Sequence, residues 1–218
     1  MICLVTDRRR LSSKADDIDR LVDFVAAAAR AGIDLIQIRE RDLDTRRLTA
    51  LVRRCVEAAE GTSTKVLVND RADVAVAAGA HGVHLRGDSI AAAAVRSLTG
   101  DGALIGRSVH GAHEASAVSG AGGVDYLIFG TLYQSAAKSA GHPVATLDEL
   151  SAACKAGVPV LAIGGITVER AAESARAGAA GIAGIGLFVP PAGTSDDRHL
   201  QTISAELRRV FDTCEAVS

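Results

Sequence analysis

Tryptophan is absent from this 218-residue chain, and aromatic residues make up only 3% of it. That is too little ring surface for a stacking platform on single-stranded nucleic acid. Neither sign of charge dominates. The 24 Lys and Arg residues stand against 26 Asp and Glu, a formal net charge of −2. A polyanion-binding face therefore has no footprint, and any phosphate chemistry must be local. No apolar run reaches the ~18 residues of a membrane span. The apolar start, residues 1–5, is too short and lacks the charged lead-in of a secretion signal. Cys3, Cys55, Cys154 and Cys214 lie far apart with no CxxC pair, the pattern of separate reduced thiols. No linker or low-complexity stretch interrupts the chain. The expectation is a cytoplasmic protein that meets neither nucleic acid nor membrane.

What is present suits a large core: 48% of residues are hydrophobic and 23% charged. Short apolar runs alternate with longer stretches of helical period. The runs at 2–6, 35–39, 65–69, 82–85, 103–106, 126–130, 158–163 and 181–185 read as strands buried on both faces of a parallel sheet. Residues 18–31, 45–60, 72–78, 90–98, 112–119, 147–155, 168–177 and 200–211 read as helices between them. Eight βα units in one run predict an α/β fold closed as a single (β/α)8 TIM barrel over residues 1–218.

In such a barrel the site lies at the C-terminal ends of the strands, and polar residues and glycines gather there. Gln37, Arg39 and Arg41 close the second strand. Extended-chain parity turns Gln37 and Arg39 toward the interior or its mouth, where a guanidinium suits a phosphate; the alternative for Arg39 is a structural ion pair. Asn69 and Asp70 offer hard oxygen ligands for Mg2+, or Asp70 caps the next helix. Asp88 and Ser89 pose the same question after the fourth strand. The loop at 131–146 carries Ser135, Lys138 and His142 and has the composition of a lid. Gly164 and Gly165, then Gly184, Ile185 and Gly186, mark two turns where backbone N–H groups can meet an anion. His84, His110 and His113 lack the spacing of a metal site. His84 reads as a packed histidine, and His110 as a residue that helps orient the mouth.

The ordered segments Val5-Thr6-Asp7, Gln37-Ile38-Arg39-Glu40-Arg41, Val68-Asn69-Asp70-Arg71, Gly82-Val83-His84-Leu85, Gly106-Arg107-Ser108-Val109-His110, Phe129-Gly130-Thr131 and Ala162-Ile163-Gly164-Gly165-Ile166 resemble the thiamine phosphate synthase and TenI family. The resemblance implies a barrel enzyme of thiamine biosynthesis that joins an aminopyrimidine diphosphate to a thiazole phosphate with release of pyrophosphate. Its transition state is a stabilised pyrimidinyl cation, served by Mg2+ and cations on the leaving group. By the same resemblance Gln37, Arg39 and Arg41 hold pyrimidine and diphosphate. Asn69 and Asp70 serve diphosphate and Mg2+, and Ser108 touches the pyrimidine or the diphosphate. Lys138, with Ser135 in its loop, clamps phosphate, and Gly165, Ile185 and Gly186 face the thiazole phosphate. Arg39, Ser108 and Lys138 form the catalytic set; Asp70, with Asp88 or Ser89, forms the metal set.

The chain also departs from that pattern. Arg41 replaces a lysine, and the loop loses a hydroxyl at Ala137. Leu85-Arg86-Gly87-Asp88-Ser89 replaces a Gly-Gln-acid pattern followed by a second metal aspartate, so Ser89 falls at the aspartate position. Residues 106–110 resemble the TenI branch, whose tautomerase has its acid-base histidine where Thr131 stands. The alternatives are therefore a thiazole tautomerase using His110 or His142, and a non-catalytic barrel that binds a pathway phosphate. Partners are expected to be small phosphorylated substrates, with self-association left open.

Overall fold

A strand buried on both faces needs apolar side chains in both directions, and the short runs supply them. The computed structural model describes residues 1–11, 17–134 and 143–215, without the side chains of residues 214 and 215. Among the described residues the runs form eight parallel strands: β1 Ile2–Val5, β2 Leu35–Ile38, β3 Lys65–Asn69, β4 Gly82–Leu85, β5 Leu104–Val109, β6 Tyr126–Phe129, β7 Val160–Ile163 and β8 Gly181–Gly184. They close in chain order, β1 pairing with both β2 and β8. The expected TIM barrel is the fold of the chain.

The helices are α1 Ile18–Arg30, α2 Thr45–Ala58, α3 Ala72–Ala78, α4 Ala92–Thr99, α5 Ala112–Ala121, α6 Leu147–Ala153, α7 Val168–Arg176 and α8 Asp196–Glu215. Asp17, Asp44, Thr146 and Thr167 each accept a first-turn backbone N–H at their helix starts. Most boundaries shift by one or two residues from the sequence expectation, and three of the differences bear on the site or its support. Strand β5 runs past 106 to Val109, so Arg107 and Ser108 are strand residues. Helix α4 starts at Ala92 because the Ile90 carbonyl is taken by Arg107. Helix α8 starts at Asp196, whose carboxylate meets Arg20 of α1 at 2.5 Å while Asp197 meets Arg30 at 2.8 Å. The sequence expectation begins this helix only at 200, because those partners lie on α1.

Register fixes what fills the lumen. Cys3, Val5, Leu35, Leu67, Tyr126, Ile128, Leu161 and Ala183 form an inner apolar cluster. A second, larger cluster packs the outer strand faces against the helices. Gln37 pairs with Val5 and Leu67 and so shares the inward face. Asn69, His84, Gly106 and Tyr126 are successive cross-strand neighbours. Tyr126 fits inside only because its neighbour has no side chain: a Cβ on Gly106 would lie 2.1 Å from the Tyr126 ring. Gly106→Ala should therefore cost about 3 kcal/mol or more, since a packed lumen cannot absorb the overlap. Denaturant unfolding should show that loss and its partial recovery on adding Tyr126→Val.

Candidate active site

The mouth is organised by one buried carboxylate. Glu40, just past β2, accepts Thr6 Oγ1 at 2.7 Å and the Arg8 guanidinium at 2.9 Å. The Arg8 backbone N–H also reaches it, at 3.2 Å. Arg8 is 2% exposed and extends to Asp42 at 2.5 Å. These charge-assisted bonds hold the Arg8 pKa up and the Asp42 pKa down. Thr6 Oγ1 in turn accepts the Arg39 backbone N–H at 2.9 Å, which sets where Arg39 leaves the sheet.

Glu40 is thus occupied, and the cations beside it are not. Neither Arg39 nor Arg41 has a hydrogen-bond or ion-pair partner for its guanidinium among the described residues. The structural ion pair considered for Arg39 is not made. Arg39 is half-buried, and burial lowers its pKa, followed by the charge of Arg41; Arg86 adds to the same effect. Three mutually repelling guanidiniums at a strand-end mouth are the electrostatics of an anion site.

Beside them lies a cleft of about 240 Å³ lined by Glu40, Arg41, Asn69, Asp70, Arg71 and Arg86 over an apolar floor. Asp70 is not a helix cap, because the α3 cap position is Arg71 and makes no side-chain bond. Asp70 instead adopts a left-handed backbone, φ 64°, a conformation Asp tolerates better than most residues. Its carboxylate accepts the Ser89 hydroxyl in a short hydrogen bond. The two metal candidates Asp70 and Ser89 are therefore brought together. The third, Asp88, is not: its carboxylate is 71% exposed and paired with Arg86 at 2.6 Å. Neither Asp88 nor Ser89 caps α4. Among the described residues no group of three His, Cys, Asp or Glu side chains is arranged to hold a metal. A hard cation here would rest on one carboxylate, a hydroxyl and whatever the substrate brings.

Below the mouth, His84 joins Tyr126 and Ser108. Its Nδ1 is 3.1 Å from the Tyr126 hydroxyl and its Nε2 is 2.9 Å from Ser108 Oγ. Tyr126 is buried with no other hydrogen-bond partner among the described residues. A buried O–H that fails to donate costs more than an idle lone pair, so it donates to Nδ1. Nε2 then carries the proton and donates to Ser108, which leaves the Ser108 O–H free to donate at the mouth. Nearby, the buried Gln37 Nε2 has no acceptor among the described residues. An unmade bond of that kind costs about 1–3 kcal/mol, so the lumen holds an open donor.

At the opposite wall, Gly164 and Gly165 serve packing as well as access. A Cβ on Gly164 would lie 2.5 Å from Thr131, and one on Gly165 2.9 Å from Tyr133 and Gln134. Arg170 fastens this turn: it donates to the Gly165 carbonyl at 2.7 Å and stacks on Tyr133, 4.5 Å from the ring centroid. Tyr133 donates to Glu173 at 2.5 Å. Ile185 and Gly186 follow β8, and a Cβ on Gly186 would lie 3.4 Å from the Arg10 guanidinium. His110 is tied down, its Nδ1 donating to the Gly130 carbonyl at 2.6 Å. Ser135, Lys138 and His142 lie outside the described residues.

Sequence reading missed Arg8, Arg10, Tyr126 and Arg170. The glycines at 106 and 186 hint at the close approaches of Tyr126 and Arg10, whereas nothing local marks Arg8 or Arg170.

Comparisons with known proteins agree on one family. A family model described as thiamine monophosphate synthase matches residues 2–188. The thiamine-phosphate synthase of Bordetella pertussis is 39% identical over 183 residues, covering 81% of this chain and 84% of that one. That of Roseiflexus castenholzii is 35% identical over 190 residues, covering 87% and 81%. Among solved structures, thiamine phosphate pyrophosphorylase from Pyrococcus furiosus superposes with a TM-score of 0.78 at 28% identity, covering 98% of this chain and 96% of that one. A 3-hexulose-6-phosphate synthase, at 19% identity and a TM-score of 0.66, shares the barrel.

Burial alone pushes the His84 pKa down to about 3 from an ordinary 6.5. The unfolded chain therefore binds a proton here that the folded chain refuses. No stability is lost above pH 6.5, and it falls by about 1.4 kcal/mol per pH unit below that until pH nears 3. Unfolding free energies measured across this window should show a slope in wild type that is shallower by that amount in His84→Gln.

Proposed function

This chain belongs to the thiamine monophosphate synthase family, and on that premise we propose how its mouth performs the coupling of hydroxymethylpyrimidine diphosphate to thiazole phosphate. The reading rests above all on Arg39, a half-buried cation with no ion-pair partner among the described residues. A desolvated guanidinium binds a diphosphate more strongly than an exposed one, because less water competes. Arg39 and Arg41 take the diphosphate from the β2 end. The open Gln37 amide and the Ser108 hydroxyl meet the pyrimidine ring, whose nitrogens supply the acceptors these donors lack. His84 and Tyr126 hold Ser108 in its donor role. Gly165, Ile185 and Gly186 receive the thiazole phosphate, and the family resemblance assigns Lys138 to phosphate.

Asp70, with the Ser89 hydroxyl beside it, fits a Mg2+ ion that draws its other ligands from phosphate and water. Such an ion would stabilise charge on the departing pyrophosphate. This chain's own part is to orient the two substrates, exclude water from the lumen and set fixed cations where the leaving group gains charge. Arg39 is catalytic in that sense, with Ser108 and Lys138. Among the described residues no helix is long and apolar enough to cross a membrane. The free thiols of Cys3, Cys55 and Cys154 suit a cytoplasmic location.

The purified protein, given both substrates and Mg2+, should form thiamine phosphate and should stop in excess chelator. Arg39→Ala should lower kcat/KM about a hundredfold while melting like wild type. Isomerisation of the unaromatised thiazole without coupling would contradict the proposal. Binding of either substrate without turnover would reduce the protein to a phosphate-binding barrel.

A further inference from the structure

Arg86 is a further departure from the family pattern, and it lines the same cleft as Arg41. The pattern places glycine at its position and a metal-binding aspartate where Ser89 stands. Relative to that pattern one negative charge is lost at Ser89, which touches the cleft residue Asp70, and one positive charge is gained at Arg86, which lines the cleft. Both changes favour an anion and weaken the pull on a metal. We propose that Arg86 is itself a diphosphate ligand, and that its guanidinium supplies directly part of the positive charge a second metal carboxylate would otherwise recruit.

The geometry supports this. Arg86 lines the cleft with Arg41, Asn69 and Asp70. Its present partner is Asp88, at 2.6 Å, in a pair whose side chains are 47% and 71% exposed. Such exposed pairs contribute little, so turning the fork onto a diphosphate sacrifices little. Its approach to Asp70 is looser, at 3.7 Å. The backbone beneath is firm: the Arg86 N–H donates to Ser89 Oγ at 2.9 Å. Arg107 donates to the carbonyls of Gly87, Ser89 and Ile90, each at 2.8 Å. A flexible cation thus stands on a fixed loop. Planar, bidentate phosphate recognition is what arginine does better than lysine.

The inference rests on the proposed function for its substrate class, but its test is separate. Inorganic pyrophosphate is titrated calorimetrically into wild type, Arg86→Gly, Arg86→Gln and Arg86→Gly/Ser89→Asp, in chelator and in Mg2+, with thermal melting to confirm folding. Wild type should bind pyrophosphate in chelator. Both single variants should bind it at least tenfold more weakly there, with a smaller loss in Mg2+. The double variant should bind only with Mg2+. Single variants that match wild type in chelator, or a wild type that needs Mg2+ to bind at all, would overturn the assignment. Formation of thiamine phosphate by wild type reads the proposed function, and neither result determines the other.

Discussion

The chemistry of this mouth depends on Glu40 being already occupied. Its carboxylate lies within a few residues of Arg39 and Arg41 in sequence, and it would neutralise either of them if free. Instead it is buried against Arg8, with the Thr6 hydroxyl and the Arg8 backbone N–H completing its shell. A buried pair of this kind is costly to break, about 3–5 kcal/mol when one partner is removed. That cost keeps Glu40 in place and leaves the Arg39 and Arg41 guanidiniums without an ion-pair partner among the described residues. One structural ion pair between the segments that follow β1 and β2 thus leaves these proposed anion ligands unpaired.

The fold was legible because it rests on local pattern. Strand runs such as 35–39 and 65–69 carry apolar residues in both directions, and stretches of helical period separate them. Closure then follows from counting units. Parity also placed Gln37 correctly on the inward face, since register in a barrel alternates without exception along β2. Strand-end position brought Asn69, Asp70 and Ser89 together for the same reason.

What escaped was decided by partners distant in the chain. Arg8 sits in a run of three arginines and reads as a solvated basic patch; only Glu40 and Asp42 bury it. Tyr126 reads as an ordinary strand aromatic until Gly106 is seen to vacate the lumen beside it. Asp88 seemed as good a metal ligand as Ser89, because sequence does not say that Arg86 takes one and Asp70 the other. The polar start of α8 falls outside the sequence expectation because its stabilising charges, Arg20 and Arg30, lie on α1.

Taken together, the mouth offers fixed cations and hydroxyl donors, while the buried His84 imidazole stays neutral and serves as a strut for Ser108. On the proposed function, these groups let an anionic leaving group depart before the new bond forms. The most direct measurement uses pyrimidine diphosphate carrying heavy oxygen in the carbon–oxygen–phosphorus bridge, incubated with the protein and no thiazole acceptor. If departure comes first, pyrophosphate rotates in the cationic mouth and returns through another oxygen. Phosphorus NMR should then show the label moving to non-bridging positions. Label that stays in the bridge while the same preparation couples both substrates at full rate would contradict the account.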